Sequence, residues 1–431
     1  MIYGNCEFVD KKYKPKKTDL IVEYRVKPIK GVSLERICEL LAGESSIGTW
    51  TKISTMNPTI AKKLKPHAFY INKKENIVRI AYPEKLFEKN NMSGILSSIA
   101  GNIFGMKEAE KLKLQDITFP ESIVKSFPGP KYGIKGVRKI TKVKNRPLIG
   151  TIVKPKVGLT EKQHAKVAYE SWAGGLDVVK DDENLTSMEF NNFYKRIKLT
   201  LKARNKAEKE TGEKKIYLPN ITAEYEEMKK RAEYVKKNGG EFVMIDILTV
   251  GWSALASMRK VTNKLKLAIH GHRAMHGALT RNPEHGISML ALAKISRLLG
   301  TDQLHIGTAG IGKMYGSAKE ELSIEEEIEQ QKIKANPRLN RLEQDWYKTK
   351  PVLAVASGGV SPLDIPKIVK TMGTNIVIQA GGGVHGHPNG TKAGARSMRQ
   401  AIEATMKKIP LKKYAKTHRE LEQAFDKFNL K

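Results

Sequence analysis

From Leu148 to Ala380 one pattern recurs eight times: a short run rich in β-branched residues, then a longer stretch with helical spacing. The runs are Leu148–Val153, Leu176–Val179, Ile216–Leu218, Phe242–Ile245, Leu265–Ile269, Gln303–Ile306, Val352–Ala356 and Ile376–Ala380. Parallel strands need a crossover connection, usually a helix, and eight such units predict a (β/α)8 barrel. A doubly wound sheet is the competing architecture, but the first run is not followed by the GxGxxG that opens such a sheet. Local punctuation agrees with the barrel. Thr160 and Gln163 form a capping box behind the first run, Gly174-Gly175 ends that helix, and Gly239-Gly240 and Gly373 mark similar ends.

The residues before the barrel read as a smaller α+β domain. Asp19–Val26 is a strand, and Ser33 caps a helix whose Leu34, Ile37, Cys38 and Leu41 share a face. Ala68–Ile71 and Asn76–Ala81 read as paired strands, Pro83–Lys89 as helical, and Leu112–Thr118 as a last strand. Strand, helix, two strands, helix, strand is the ferredoxin-like order. Phe127–Arg146, rich in Pro, Gly and Lys, reads as a linker. The expected chain is α/β: a ferredoxin-like α+β domain over 1–135, a (β/α)8 TIM barrel over 136–410 and a basic tail over 411–431.

Charge is the loudest feature of the composition and the least specific. Lys and Arg number 77 against 45 Asp and Glu, a formal +32 over 431 residues. Such a surplus invites a nucleic-acid partner. Lys outnumbers Arg more than threefold and is scattered along the chain, whereas base readout and stacking favour Arg. A Lys-rich solvated surface is the better reading, with nucleic acid a remote alternative. No apolar run reaches the roughly 18–20 residues of a membrane span, and Met1–Asp10 has no apolar core of a secretory signal. Two cysteines, Cys6 and Cys38, exclude a disulfide scaffold and fit a reducing, cytoplasmic setting; Cys38 reads as a core thiol.

Barrels of this kind carry their chemistry where the strands end. Run one ends in Lys154-Pro155-Lys156 and run two in Lys180-Asp181-Asp182-Glu183-Asn184. Run five ends in His270-Gly271-His272-Arg273, with His276 beyond, and run six carries His305 before the glycine-rich Gly307 to Lys313. Runs seven and eight end in Ser357-Gly358-Gly359 and Gly381-Gly382-Gly383. Those glycines either admit an anion such as phosphate to the backbone N–H groups or simply make tight turns. Asp182 and Glu183 are hard oxygen ligands suited to Mg²⁺, or an ion-pair cluster with Lys180. Lys154 and Lys156 are tuned acid–base groups if partly buried, and surface charges if not.

Three motifs mean less than they suggest. Gly307 to Lys313 fits GxxxxGK, but Met314 stands where a nucleotide-hydrolysing loop needs Ser or Thr for Mg²⁺. His270-x-His272 resembles a metal pair, yet zinc needs three or four convergent ligands that the order of elements does not supply. Proton-relay and phosphate contacts suit it better. The acidic stretch from Glu320-Glu321 to Glu329 reads as a solvated helix face.

Together these residues resemble ribulose-1,5-bisphosphate carboxylase/oxygenase. The signature is Gly174-Gly175-Leu176-Asp177 through Lys180-Asp181-Asp182-Glu183-Asn184. Supporting motifs span nearly the whole chain: Gly43-Glu44-Ser45-Ser46-Ile47-Gly48-Thr49-Trp50, Gly101-Asn102-Ile103-Phe104-Gly105, Lys154-Pro155-Lys156, His272-Arg273-Ala274-Met275-His276, Lys313 and the two glycine clusters. The lid sequence and the lack of plant-like extensions look most like archaeal form III enzymes, which need no small subunit.

The resemblance implies carboxylation of ribulose 1,5-bisphosphate by CO₂ and water to two 3-phosphoglycerates, with O₂ competing. It implies that Lys180 takes up an activator CO₂ as a carbamate, which holds Mg²⁺ with Asp182 and Glu183 and accepts the C3 proton. Lys154 would be the acid–base group near C2, Lys156 would tune it, His272 would assist proton transfer, and Lys313 would meet the new carboxylate. Arg273, His305 and Ser357 would bind one phosphate; Thr49, Trp50, Gly381 and Gly382 the other, with Gly358 and Gly359 in the same lining. Glu44, Thr49, Trp50 and Asn102 would come from a neighbouring subunit, so a homodimer is the smallest active unit and rings of dimers are allowed. The form III likeness further implies a place in AMP or nucleoside ribose salvage. Tyr315 stands where the family usually has glutamate, which bears on lid behaviour rather than reaction class. An enolase or isomerase relative without carboxylation is the alternative, but none of the named catalytic positions is replaced here.

Overall fold

The computed structural model describes residues 7–313 and 316–428, so Cys6, Met314 and Tyr315 lie outside the described residues. The chain sorts into two compact units. One gathers the chain up to Gly129 with Met275–Leu298 and Gln330–Thr349; the other holds Pro130–Ala274, Leu299–Glu329 and the chain from Lys350 onward.

In the first unit, strands β1 (Asp19–Pro28), β2 (His67–Asn72), β3 (Ile77–Pro83) and β4 (Ala109–Thr118) form an antiparallel sheet in the order β4-β1-β3-β2. The two-residue strand Gly286–Ile287 adds to β4 in parallel. Helix Leu34–Glu44, capped by the Ser33 hydroxyl on Arg36 N, buries Leu34, Ile37, Cys38 and Leu41 as its spacing predicts. Pro83–Lys89 differs from expectation: it holds only the 3₁₀ turn Glu84–Leu86. The helix before the last strand is Met92–Ile99, begun where the Asn91 side chain accepts from Gly94 N.

The second unit is the barrel. Its strands are β5 (Leu148–Ile152), β6 (Val178–Lys180), β7 (Ile216–Leu218), β8 (Phe242–Asp246), β9 (Ala268–His272), β10 (Gln303–His305), β11 (Leu353–Ser357) and β12 (Ile376–Gln379). All pair in parallel, in the order β7-β6-β5-β12-β11-β10-β9-β8. The circle closes between β7 and β8 through the bridge Asn220↔Met244, with Met244 N donating to Pro219 O at 2.8 Å and Ile221 N to Met244 O at 3.0 Å. The fifth strand begins three residues later than its apolar run suggests. Helix Trp252–Leu265 continues through Leu265, and Lys266 ends it at φ 55.

Two further expectations change. The stretch expected to be a linker contains helix Gly133–Thr141, whose Ile134 and Val137 join Leu148, Val178, Phe242, Leu353 and Val377 in the barrel core. The apolar stripe at Ile134, Val137 and Thr141 was hidden among lysines. The acidic stretch is not a solvated face either. Helix Ala318–Glu329 buries Glu321, Glu325 and Glu327, because Glu321, Ile324, Glu325 and Ile328 form one stripe at i, i+3, i+4 and i+7. Burial and the neighbouring Glu329 push the Glu325 carboxyl up to about 8.

Past Pro410, helices Leu411–Ala415 and Arg419–Phe428 follow Gly390–Met406. Leu421 N donates to Gln400 Oε1 at 2.9 Å, and Leu421 and Ala424 are buried. Among the described residues no helix is long and apolar enough to cross a membrane.

Candidate active site

At the C-terminal end of β6, Lys180 is buried, 1% exposed. Its Nζ donates to Asp181 O at 2.9 Å and lies 3.4 Å from Glu183 Oε2. Burial lowers its ammonium from the ordinary lysine range, against the pull of Glu183, Asp182 and Asp246. Asp182 accepts from Lys154 Nζ, at the end of β5, at 2.7 Å, and its other oxygen from Asn184 N and Nδ2 at 3.2 and 3.1 Å. Glu183 meets Lys156 Nζ at 3.7 Å and His272 Nε2 at 3.5 Å. Burial alone would raise the Glu183 carboxyl; Lys180, His272 and Lys156 hold it down at about 2. His272 itself lies between two carboxylates, its Nδ1 3.1 Å from Asp246 Oδ1 at the end of β8, yet burial and Lys180 lower its pKa.

The turn that carries these groups is anchored from behind by Asp181. This carboxylate is fully buried and takes Tyr217 OH at 2.5 Å, Asn220 N at 3.0 Å and Arg196 Nε at 3.2 Å, with His164 Nε2 at 3.1 Å. Asn220 Nδ2 donates to Glu183 O at 3.1 Å. The backbone of the carboxylate turn is therefore fixed before any ligand arrives.

A line of buried imidazoles crosses the barrel mouth. Gln303 Oε1 lies 2.7 Å from His270 Nδ1, His270 Nε2 2.8 Å from His305 Nε2, and His305 Nδ1 2.7 Å from Ser357 Oγ. Burial, reinforced by nearby positive charge, takes His270 to about 3 and His305 well below the usual imidazole range. Both rings are neutral at pH 7, so each carries one N–H, and the line has a direction.

The loop after β10 rests on the loop after β11. Lys313 N donates to Gly358 O at 2.8 Å, and Gly312 N to Thr308 Oγ1 at 2.7 Å. A Cβ at Gly312 would collide with Gly358 O, and one at Gly359 would crowd the Lys313 side chain. Gly381 lies against Lys154, whose Cε would sit 3.1 Å from a Cβ there. Arg273 follows β9, where burial lowers its guanidinium to about 10.

Two family models cover this chain: the ribulose bisphosphate carboxylase large chain catalytic domain matches residues 133–428, and the N-terminal domain of the same large chain matches residues 7–123. The chain belongs to the ribulose bisphosphate carboxylase large-chain family. It is 52% identical over 423 residues to the ribulose bisphosphate carboxylase of Methanosarcina acetivorans, covering 98% of this chain and 99% of that one. It is also 52% identical over 427 residues to that of Methanocaldococcus jannaschii, covering 97% and 99%. Among solved structures, the dimeric archaeal Rubisco of Hyperthermus butylicus matches with a TM-score of 0.93 at 46% identity, covering 98% of both chains. The octameric Rubisco of Pyrococcus horikoshii, described as a complex with sulfate ion, matches with a TM-score of 0.92 at 45% identity, covering 98% of this chain and 96% of that one.

The other residues picked out by the Rubisco resemblance lie in the first unit. Glu44, Trp50 and Asn102 line one concavity of about 660 Å³, together with Leu40, Gly101 and Met106. Trp50 is 81% exposed, and Thr49 precedes it. Within the barrel, sequence reasoning passed over Asp246, Gln303 and Glu321. Asp246 could have been found, since it is the last residue of its strand. Gln303 begins its strand, and nothing local marks it.

Proposed function

We propose that this chain catalyses Mg²⁺-dependent addition of CO₂ and water to ribulose 1,5-bisphosphate, yielding two 3-phosphoglycerates, with oxygenation as the competing reaction. The observation that carries the reading is a lysine, Lys180, buried against Asp182 and Glu183 with its ammonium form disfavoured. A buried amine of lowered pKa is what CO₂ needs to add as a carbamate, and the product is an anion instead of a cation.

The donor set suits Mg²⁺. Asp182 and Glu183 offer the hard oxygens that Mg²⁺ takes, and among the described residues no group of three or more His, Cys, Asp or Glu side chains is gathered to hold a metal. Asp182 and Glu183 leave the set one ligand short, and a carbamate on Lys180 supplies it. When bound, Mg²⁺ would act as a Lewis acid on the sugar's carbonyl and hydroxyl oxygens. Lys180, once carbamylated, would take up the C3 proton, and Lys154 Nζ, released from Asp182, would deliver and accept protons near C2. Lys156 tunes Lys154, and His272, held by Asp246, assists. Lys313 pairs with the carboxylate formed as CO₂ adds, and its loop excludes water.

Arg273, His305 and Ser357 grip one phosphate, and Gly381 and Gly382 the other, with Gly358 and Gly359 between them. Glu44, Thr49, Trp50 and Asn102 complete the site from a second subunit, so the active species is a homodimer without a small subunit. The dimeric and octameric Rubisco relatives support such assembly. Within this reading the enzyme is cytoplasmic and serves AMP or nucleoside ribose salvage.

Purified protein incubated with ¹⁴CO₂, Mg²⁺ and ribulose bisphosphate should yield labelled phosphoglycerate, and Lys180→Ala should abolish it with the fold intact. Proton exchange at C3 without label in product would sink the carboxylase reading in favour of an enolase.

A further inference from the structure

We infer that Glu321 is a positioning residue for the reaction, a clamp that fixes the loop bearing Lys313. The inference rests on reading Lys313 as the group that meets the new carboxylate. Glu321 lies in the first turn of helix Ala318–Glu329 and is buried, 4% exposed, while Glu320 beside it is exposed.

Its carboxylate reaches back under the loop. Glu321 Oε2 accepts from Gly310 N at 3.0 Å. The same carboxylate fills the space beside Gly307 and Gly316, where a Cβ on either glycine would collide with it. Gly307 (φ 114) and Gly310 (φ 70) adopt backbone conformations that favour glycine, so the start of the loop is shaped around this side chain. Glu321 is in turn tied to the loop's far end, its own N donating to Ser317 O at 3.0 Å.

One carboxylate therefore accounts for the glycines at 307 and 316, holds the backbone N–H of Gly310, and joins the start of the loop to its end. What lies between is Lys313, docked by its backbone on Gly358. Arg273, a proposed phosphate anchor, is the charge that pulls on Glu321, and Glu321 pulls on Arg273 in return. The clamp thus stands between the phosphate grip and the lid. Losing it should leave proton abstraction at C3 untouched, because no group in that step contacts Glu321. It should weaken the step that needs Lys313.

The test compares Glu321→Ala, Glu321→Gln and Gly316→Ala in the full-length enzyme. Two readouts are followed: the ratio of carboxylation to C3 proton exchange, and the rate of tryptic cleavage after Lys313, identified by fragment mass. Glu321→Ala and Gly316→Ala should lower the ratio about tenfold and speed the cleavage. Glu321→Gln, which keeps an acceptor for Gly310 N–H, should restore most of both. A Glu321→Ala enzyme with the parent's ratio and cleavage rate overturns the clamp, as does a Glu321→Gln enzyme no better than Glu321→Ala. If the parent lacks carboxylation altogether, the functional reading fails, while the cleavage rates still decide the clamp.

Discussion

Replacing Arg196 by Met should loosen the turn that holds the proposed metal ligands. Arg196 is fully buried, with Nε on Asp181 Oδ2 at 3.2 Å, Nη1 on Asn191 Oδ1 at 2.9 Å and Nη2 on Thr186 O at 2.7 Å. Stripping one partner from a buried ion pair costs roughly 3–5 kcal/mol. Asp181 keeps Tyr217, Asn220 and His164, so the lower end, about 3 kcal/mol, applies. At roughly 2 °C per kcal/mol for a unit of this size, the barrel's melting temperature should fall by about 6 °C. The pH dependence gives a second check. Burial would raise the Asp181 carboxyl, but Arg196, His164 and Tyr217 hold it at about 2, below its ordinary 3.8. A folded pKa below the unfolded one gives stability that is present above pH 4 and lost as pH falls towards 2, here about 2 kcal/mol. In Arg196→Met the folded Asp181 carboxyl rises towards its ordinary value, so that acid-side loss should shrink. Adding Asp181→Asn should recover much of the deficit, because both charges are then gone. Calorimetry across pH decides: a melting temperature within about 1 °C of the parent at pH 7 would refute the reasoning.

Other substitutions probe separate parts of the molecule. Glu325→Gln should stabilise the enzyme, since the Glu325 carboxyl is raised to about 8 and its folded state resists ionisation. A raised folded pKa gives stability that is lost as pH rises, so the mutant's advantage should appear above pH 5 and grow by up to about 1.4 kcal/mol per pH unit towards pH 8. Equal melting curves at pH 8 would count against it. His270→Phe removes the partner of His305 Nε2 and should raise the KM for the bisphosphate about tenfold, in line with the roughly 1.5–3 kcal/mol of a hydrogen bond to a charged group. C3 proton exchange at saturating substrate should change little; an unchanged KM would show the imidazole line has no part in phosphate binding. Gly394→Ala places a Cβ against Val384 O and His387 Cβ. It should cost roughly 1–3 kcal/mol without altering KM, as measured by denaturant unfolding and substrate titration.

The barrel was legible because its strands are short β-branched runs with glycines or caps at the helix ends, a local signal. The site strings were legible for a related reason: the fold puts chemistry at strand ends, so Lys180, His272 and Ser357 are found by reading just past each run. Contacts remote in the chain were not legible. His270 and Gln303 meet across 33 positions, and neither residue announces the other. Helix Gly133–Thr141 was lost in a lysine-rich stretch, because an apolar stripe of three residues is faint beside so many charges. The acidic helix misled in the opposite direction: glutamates usually mark water, and here Glu321 and Glu325 share a stripe with Ile324 and Ile328.

The seam of the barrel lies next to this chemistry. Between β7 and β8 the circle is held by two backbone hydrogen bonds at Met244, and the residue between them, Asn220, also grips the backbone of Asp182 and Glu183. Closing the barrel and holding the carboxylate turn are thus tasks of one asparagine. The amide protons of Ile221 and Met244 then become a gauge of activation. Loading the site with CO₂ and Mg²⁺ should slow their exchange with solvent, while amides on the far side of the barrel, such as those of β12, keep their rates.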